Sequence, residues 1–391
     1  MIFIPNIVIK NDGDRLTLKP EIEFRGRYER RTDTDFNGAA NDNKSILYSR
    51  YRPGVSWKYG KEWSGLLQYQ YAHQLTWSQA GNSSLENSDV FQAFAVRKVG
   101  DTKLTIGRQK LNFGTNRLIG SPDWSHTGRS YDAVRYQTKK LDVFGARIGV
   151  AAGRPNFARV FGVGVDNNLG TTSLIYKHDV TSTGDVDHYT LDQTYNHDFG
   201  FAKLEAEGAL QSGRASGKNQ EAWAVHLQLS KNVGKKFTEY IEVNSASGGS
   251  NATTTRTFDN LYAANHLIYG LMDIQGWKNM NQISVGAKYD LKKDTCVSFR
   301  ASSNDLRDPS DGWYGIGGSI NKSGSTSLRD ATGQSGRHVG EEYDLEMTFK
   351  TKTKGTFSGG LAMFTPGTFV KTMVGSSHNQ YWGYLQYTVK F

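Results

Sequence analysis

The chain has 391 residues, 37% of them hydrophobic, with a mean hydropathy of −0.58, and nowhere do about 18 apolar residues follow one another as a spanning helix requires, so a helical membrane protein is excluded. Polarity combined with 20 Tyr, 19 Phe and 8 Trp instead suits a barrel, where alternate strand residues face a wet lumen and aromatics girdle the lipid face. A net charge of +9 favours an anionic partner, but no zinc-finger spacing or RNA-binding box is present, so nucleic acid is not expected.

In chain order, the first five residues carry no basic region, apolar run or small-residue cleavage site, and a mature form without its signal peptide is expected. The first strand sets Ile22, Phe24 and Tyr28 opposite Glu21, Glu23, Arg25, Arg27 and Glu29. A period of two sends successive side chains to opposite sides, one set to lipid and the other to the lumen. Similar alternation recurs near 45–59, 63–77, 88–99, 131–138, 141–152, 170–179, 188–197, 201–211, 220–231, 236–247, 281–291, 295–304, 355–364 and 379–391. The stretch 103–113 reads poorly: Ile106 shares its face with Arg108 and Lys110 while Gln109 takes the lipid side, which a bulge would re-aim. Cys296 is the only cysteine, so a disulfide framework and a multi-Cys metal site are excluded. The clearest strand is 338–350, with Tyr343, Leu345, Met347 and Phe349 facing lipid opposite Glu342, Asp344, Glu346 and Lys350.

Tight turns at 59–61, 99–101, 138–140, 233–235, 291–293 and 353–355 fall on one rim only if a further crossing lies near 160–166. That crossing raises the count from roughly seventeen strands to about eighteen, an even number keeping both termini periplasmic. The fold expected is all-β: one transmembrane antiparallel β-barrel over 1–391 with about 18 strands, 16 being the alternative. Long connections near 114–130, 248–280 and 305–337 lie on the extracellular rim or fold into the lumen, and loops of that length are usually functional.

By parity the lumen carries Arg25, Arg27, Arg50, Arg52, Arg135, Arg147, Lys288 and Arg300, with Glu205, Glu207, Glu242, Glu342, Asp344 and Glu346. A Lys or Arg facing hydrocarbon at the midplane would cost about 2–4 kcal/mol, so the lumen is their place. Two readings stay open: an anion path in which Arg forks grip carboxylates, or acids and bases that neutralise each other and brace the wall. The excess of base favours the path. His266 and Asp273, in a Gly/Asn-rich loop, read as turn or capping residues rather than chemistry. Trp124, Trp277 and Trp313 stack on sugar rings or anchor loops at the membrane interface, the commoner role.

Residues 107–114 (GRQKLNFG), Arg117 to Gly120, Asp123-Trp124 and Gly128 to Asp132 carry more than alternation. So do Phe258, Leu261, Tyr262, Asn265, His266, Tyr269, Gly270 and Asp273, followed by Gly340 to Leu345. Together, over roughly 15–391, the chain resembles the alginate export family of outer-membrane porins. The resemblance implies an eighteen-stranded barrel passing an anionic uronic-acid polysaccharide, with an electropositive constriction built by inward arginines and infolded loops. Arg108, Arg117 and Arg129 sit in the matching motif, and Arg25, Arg50, Arg135 and Arg300 on matching strands. The chain departs from the family in being shorter, with little room for a long periplasmic plug loop. The final strand, with Leu385, Tyr387, Val389 and terminal Phe391 on one face, resembles the signal read by the barrel assembly machinery.

The leading expectation is passive, anion-selective passage of an acidic polysaccharide or oligosaccharide through the bacterial outer membrane. A general or small-anion porin is the alternative. A barrel enzyme ranks below both, because none of the 9 His is spaced as nucleophile and base would require. Outer-membrane lipid and the assembly machinery are expected partners, a monomer the expected state, and neither cofactor nor metal is expected.

Overall fold

The computed structural model describes residues 7–11, 14–39, 42–78, 81–148, 158–181, 184–266, 268–352 and 355–391. Alternating polarity makes the segments strands, because only a two-residue period gathers all apolar groups on one side of an extended chain. They run β1 (Asp14–Arg31), β2 (Lys44–Tyr59), β3 (Trp63–Ser78), β4 (Ser83–Val99), β5 (Thr102–Gln109) and β6 (Tyr131–Gln137). Next come β7 (Leu141–Ile148), β8 (Arg159–Asn167), β9 (Gly170–Thr181), β10 (Gly184–Asp198), β11 (Lys203–Ala215) and β12 (Lys218–Val233). Last are β13 (Phe237–Ala246), β14 (Met280–Lys292), β15 (Thr295–Asp305), β16 (His338–Lys350), β17 (Gly355–Pro366) and β18 (Gln380–Lys390).

These form a closed 18-strand antiparallel barrel. β1 pairs with β18 from Glu23–Lys390 to Arg31–Trp382, and Ile22 and Phe391 exchange backbone hydrogen bonds, so the barrel has no free edge. Below that point the short strand Ile7–Asn11 pairs with the start of β1. The crossing expected near 160–166 is β8, and the tight turns share one rim, the periplasmic one. Residues 149–152 of the expected strand 141–152 and residues 353–354 of the last turn lie outside the described residues. The lipid face is as the pattern implies: Phe24, Tyr28, Tyr343, Leu345, Met347 and Phe349 are each at least 40% exposed.

Inside, the barrel is not a wet pipe. The 110–130 and 247–279 loops turn inward and bury Phe113, Leu118, Ile119, Phe258, Tyr262 and Trp277 against Phe144, Ala146, Val160 and Ile175 of the wall. At the mouth a second core joins Phe36, Met272, Trp313, Leu328, Phe364 and Trp382 to Phe369 and Val370 of a short helix, α1 (Thr368–Val374). Trp277 and Trp313 are fully buried within these cores and Trp124 lies inside the lumen, so none of the three anchors a loop at the membrane interface.

Where a loop backs onto the wall, the inward face of the wall is itself core, and there polarity no longer reports direction. On β7 the inward residues are Phe144, Ala146 and Ile148, which turns Arg147 outward and corrects its expected lumen position. Arg108 also faces out, sharing its side of β5 with exposed Ile106, while Thr105 and Gln109 point in. The β5 register is regular, so no bulge re-aims it; the strand simply ends at Gln109. Arg108 and Arg147 both bind Asp132, at 2.8 and 3.2 Å, at the extracellular ends of their strands. Near the interface an outward charge costs only about 0–1 kcal/mol.

Candidate functional site

On the β1–β2 wall the register sets Arg25 opposite Arg50 and Glu23 opposite Arg52. Like charges facing each other destabilise a sheet unless something lies between them. Here it is the 123–127 segment of the infolded loop, which presents its carbonyl groups. Arg25 donates to the carbonyls of Asp123, Trp124, Ser125 and His126. Arg27 donates to the Trp124 carbonyl at 2.7 Å, binds Glu29 at 2.7 Å and lies 3.7 Å from the Trp124 ring centre. Arg50 and Arg52 share two carboxylates, Glu23 at 2.7 and 3.2 Å and Asp123 at 3.1 and 2.9 Å. Lys110 reaches Asp123 at 3.2 Å. The loop passes so close that Gly128 is required: its φ is +73°, and a Cβ there would sit 2.7 Å from Arg52 Nη2.

The charge balance shows in the loop's own groups. Burial alone would raise the Asp123 carboxyl, but Arg50, Lys110 and Arg52 outweigh it and hold that carboxyl well below the usual carboxylate range. Burial, with Arg25, Arg27 and Arg50 nearby, lowers His126 to about 4, and neither ring nitrogen has a hydrogen-bond partner among the described residues. His126 is therefore neutral at pH 7.

Across the lumen the wall is acidic and the second loop presents N–H groups to it. Met272 N donates to Glu342 Oε1 at 2.8 Å and Leu271 N to Asp344 Oδ2 at 3.2 Å. Gly270, at φ +137°, lets them approach: a Cβ there would meet Glu342 Oε1 at 2.4 Å. Cations complete this grip, Arg31 donating to the Met272 carbonyl and Arg300 to that of Ile268, both at 2.7 Å.

The other expected site residues divide by depth. Arg117 binds Glu207 at 3.2 Å and His226 at 2.8 Å, Arg300 binds Glu242 at 2.8 Å, and Arg129 donates to the carbonyls of Tyr262 and Ala263. Arg135 is held by Asp142 and donates to the Asn112 carbonyl at the loop's edge. Glu346 accepts from the Tyr384 hydroxyl. Glu205 and Lys288 are exposed toward the periplasmic vestibule. His266 bonds Asp273 at 2.7 Å and lies flat on Trp124, ring centres 3.8 Å apart, so this pair braces the loops against each other.

Sequence reasoning missed the amides. Gln70 accepts from Arg52, Gln211 grips both the N–H and the carbonyl of Asp259, Gln220 holds the Thr257 carbonyl, and Gln282 holds that of Tyr269. It also missed Lys177 and His188, which bind Asp259 at 2.7 and 3.0 Å. Gln and Asn on lumen parity were the available signal, because an amide can both donate to and accept from a folded-in backbone.

A family described as alginate export matches residues 17–146 and 145–384. No curated protein matches the sequence. Solved structures of similar fold include Pseudomonas aeruginosa OccD3 (OpdP), with a TM-score of 0.62 and 11% identity over 96% of this chain and 91% of that one. OccK5 (OpdH) of the same organism gives 0.60 and 11% over 96% and 98%. P. aeruginosa OccK2 (OpdF), solved in complex with glucuronate, gives 0.59 and 12% over 96% of each chain. Identities this low speak to the fold alone.

Proposed function

Because the chain belongs to the alginate export family and forms an outer-membrane channel, we propose that it passes an acidic, uronate-type oligosaccharide or polysaccharide and selects for anions. The observation that carries this reading is the cationic wall around the infolded loop, where, among the described residues, Arg25, Arg27, Arg50, Arg52 and Lys110 form ion pairs with no acids but Glu23, Glu29 and Asp123. Mutual bracing consumes the acids and leaves positive charge, and positive potential at a low-dielectric constriction draws anions. The path follows the loop's edge, where Lys110, Asp123 and Arg135 keep part of their surface open. Lys19, Lys58, Lys98 and Lys103, on lumen parity toward the periplasmic end, extend the cationic wall.

A second reading, a porin for small anions, draws on the packed cores that fill the extracellular half of the lumen. The two differ in what blocks current across a planar bilayer. A polyuronate channel is blocked by micromolar polyuronate and unaffected by a neutral glucan, whereas a small-anion porin is blocked equally well by monomeric glucuronate. Family and fold are those of channels, and no reaction is assigned. The barrel acts as a monomer in outer-membrane lipid, its last strand presented to the assembly machinery.

A further inference from the structure

The connection between β1 and β2 runs Asp33-Thr34-Asp35-Phe36-Asn37-Gly38, the order of acid, acid, amide and glycine that opens EF-hand calcium loops, with Lys44 where such loops end in glutamate. Asp42 stands two residues before that end. Asp33, Asp35 and Asp42 each bring a carboxylate oxygen within 4.8 Å of the others. Carboxylates so close repel, yet among the described residues no Lys, Arg or His forms an ion pair with any of the three.

Backbone and side-chain donors satisfy part of the cluster. Asp33 Oδ1 accepts from Gly38 N at 3.0 Å, and Asp35 accepts from Asn37 N and Nδ2 at 3.3 and 2.7 Å. Asp42 Oδ2 accepts from Asp35 N at 2.8 Å and Thr34 Oγ1 at 2.6 Å. Left over are Asp33 Oδ2 and Asp42 Oδ1, both enclosed and meeting no donor among the described residues, and Asp33 is only 8% exposed. A buried anionic oxygen without donor or cation is strongly disfavoured, so two of them facing a third carboxylate point to a ligand of opposite charge.

We propose that Asp33, Asp35 and Asp42 bind one divalent cation of the calcium type at the extracellular mouth. Three carboxylates on an irregular loop suit calcium, which accepts flexible oxygen geometry, better than magnesium, which demands a near-ideal octahedron. An open cleft lined by Asp33, Gly38, Asn43 and His378 gives access from outside. The consequence reaches the channel mouth. Phe36, inside the loop, packs on Trp313 and Phe364 with ring centres 6.0 and 5.7 Å away, and Ser323 Oγ donates to the Asp35 carbonyl at 2.7 Å. A bound cation therefore fastens the first extracellular loop to the 306–337 loop.

Calorimetric titration of calcium chloride into the chelator-stripped, detergent-folded full chain tests this. The expected result is one saturable site with Kd in the range of about 0.1–1 mM, as for extracellular calcium modules. Affinity should fall at least tenfold in the Asp33→Asn, Asp42→Asn double variant while its β-sheet circular dichroism is unchanged. No saturable binding below about 10 mM, unaltered affinity in the variant, or magnesium bound as tightly as calcium would overturn the proposal. Should the variant not fold, proteolysis of the unaltered chain decides: calcium slows cleavage within 32–43 and chelator restores it, and cleavage indifferent to calcium overturns the proposal.

Discussion

The two infolded loops are held by opposite chemistries. At the β1–β2 wall, guanidinium groups donate to the carbonyls of 123–127; at the β16 wall, carboxylates accept from the N–H groups of Leu271 and Met272. A peptide chain offers both polarities, so whichever edge of the loop meets the wall decides the sign of the charge that braces it. The difference matters for permeation. The acidic wall, Glu342 and Asp344, has Arg300 and Arg31 beside it, both donating to loop carbonyls, whereas the basic wall has more cations than Glu23, Glu29 and Asp123 can neutralise. The same bracing task thus leaves the field positive on one side of the lumen.

Removing the first loop breaks the comparison most severely. Replacing 112–127 with a short Gly/Ser linker frees the carbonyl-bound arginines, and single-channel conductance should rise severalfold with stronger anion preference, measured in planar bilayers. Changing both Arg50 and Arg52 to Ala strands Glu23 and Asp123, buried or partly buried without their main cations. Breaking a buried pair in this way costs about 3–5 kcal/mol, so the barrel should unfold at lower urea and lose anion preference together. Glu342→Ala removes one acceptor from Met272 N, at about 1–3 kcal/mol. It should loosen the second loop to proteolysis without reducing anion preference, which is the contrast between the walls in its sharpest form.

The smallest effect is on pH. His126 stays neutral in the seated loop down to about 4, against an ordinary value near 6.5. Seating is therefore complete above pH 6.5 and weakens as pH falls from 6.5 towards 4, because the released loop takes up a proton that the seated one refuses. Asp123 stays ionised across that window. Open probability should rise over the interval in wild type and stay flat in His126→Gln.

The barrel was legible because Ile22, Phe24 and Tyr28, and again Tyr343, Leu345, Met347 and Phe349, repeat with a period of two, and because rim parity demanded β8 before any residue in it stood out. The lumen was less legible. Parity assumes that inward means polar, which fails on β7, where Phe144, Ala146 and Ile148 face an apolar loop and leave Arg147 outside. Nor can parity tell a selecting charge from a bracing one, since Arg25, Arg27, Arg50 and Arg52 owe their burial to a loop 73 to 98 residues away in sequence. The amides that complete the grip, Gln70, Gln211 and Gln282, looked like ordinary wet-lumen residues.

If, as proposed, the cationic wall sets selectivity, the reversal potential of the wild-type channel in a tenfold potassium chloride gradient shows it. The expected reversal potential has the sign that chloride permeation gives and moves toward zero when Arg50 and Arg52 are replaced. A potassium-selective wild type, or a chloride preference untouched by those substitutions, would contradict it.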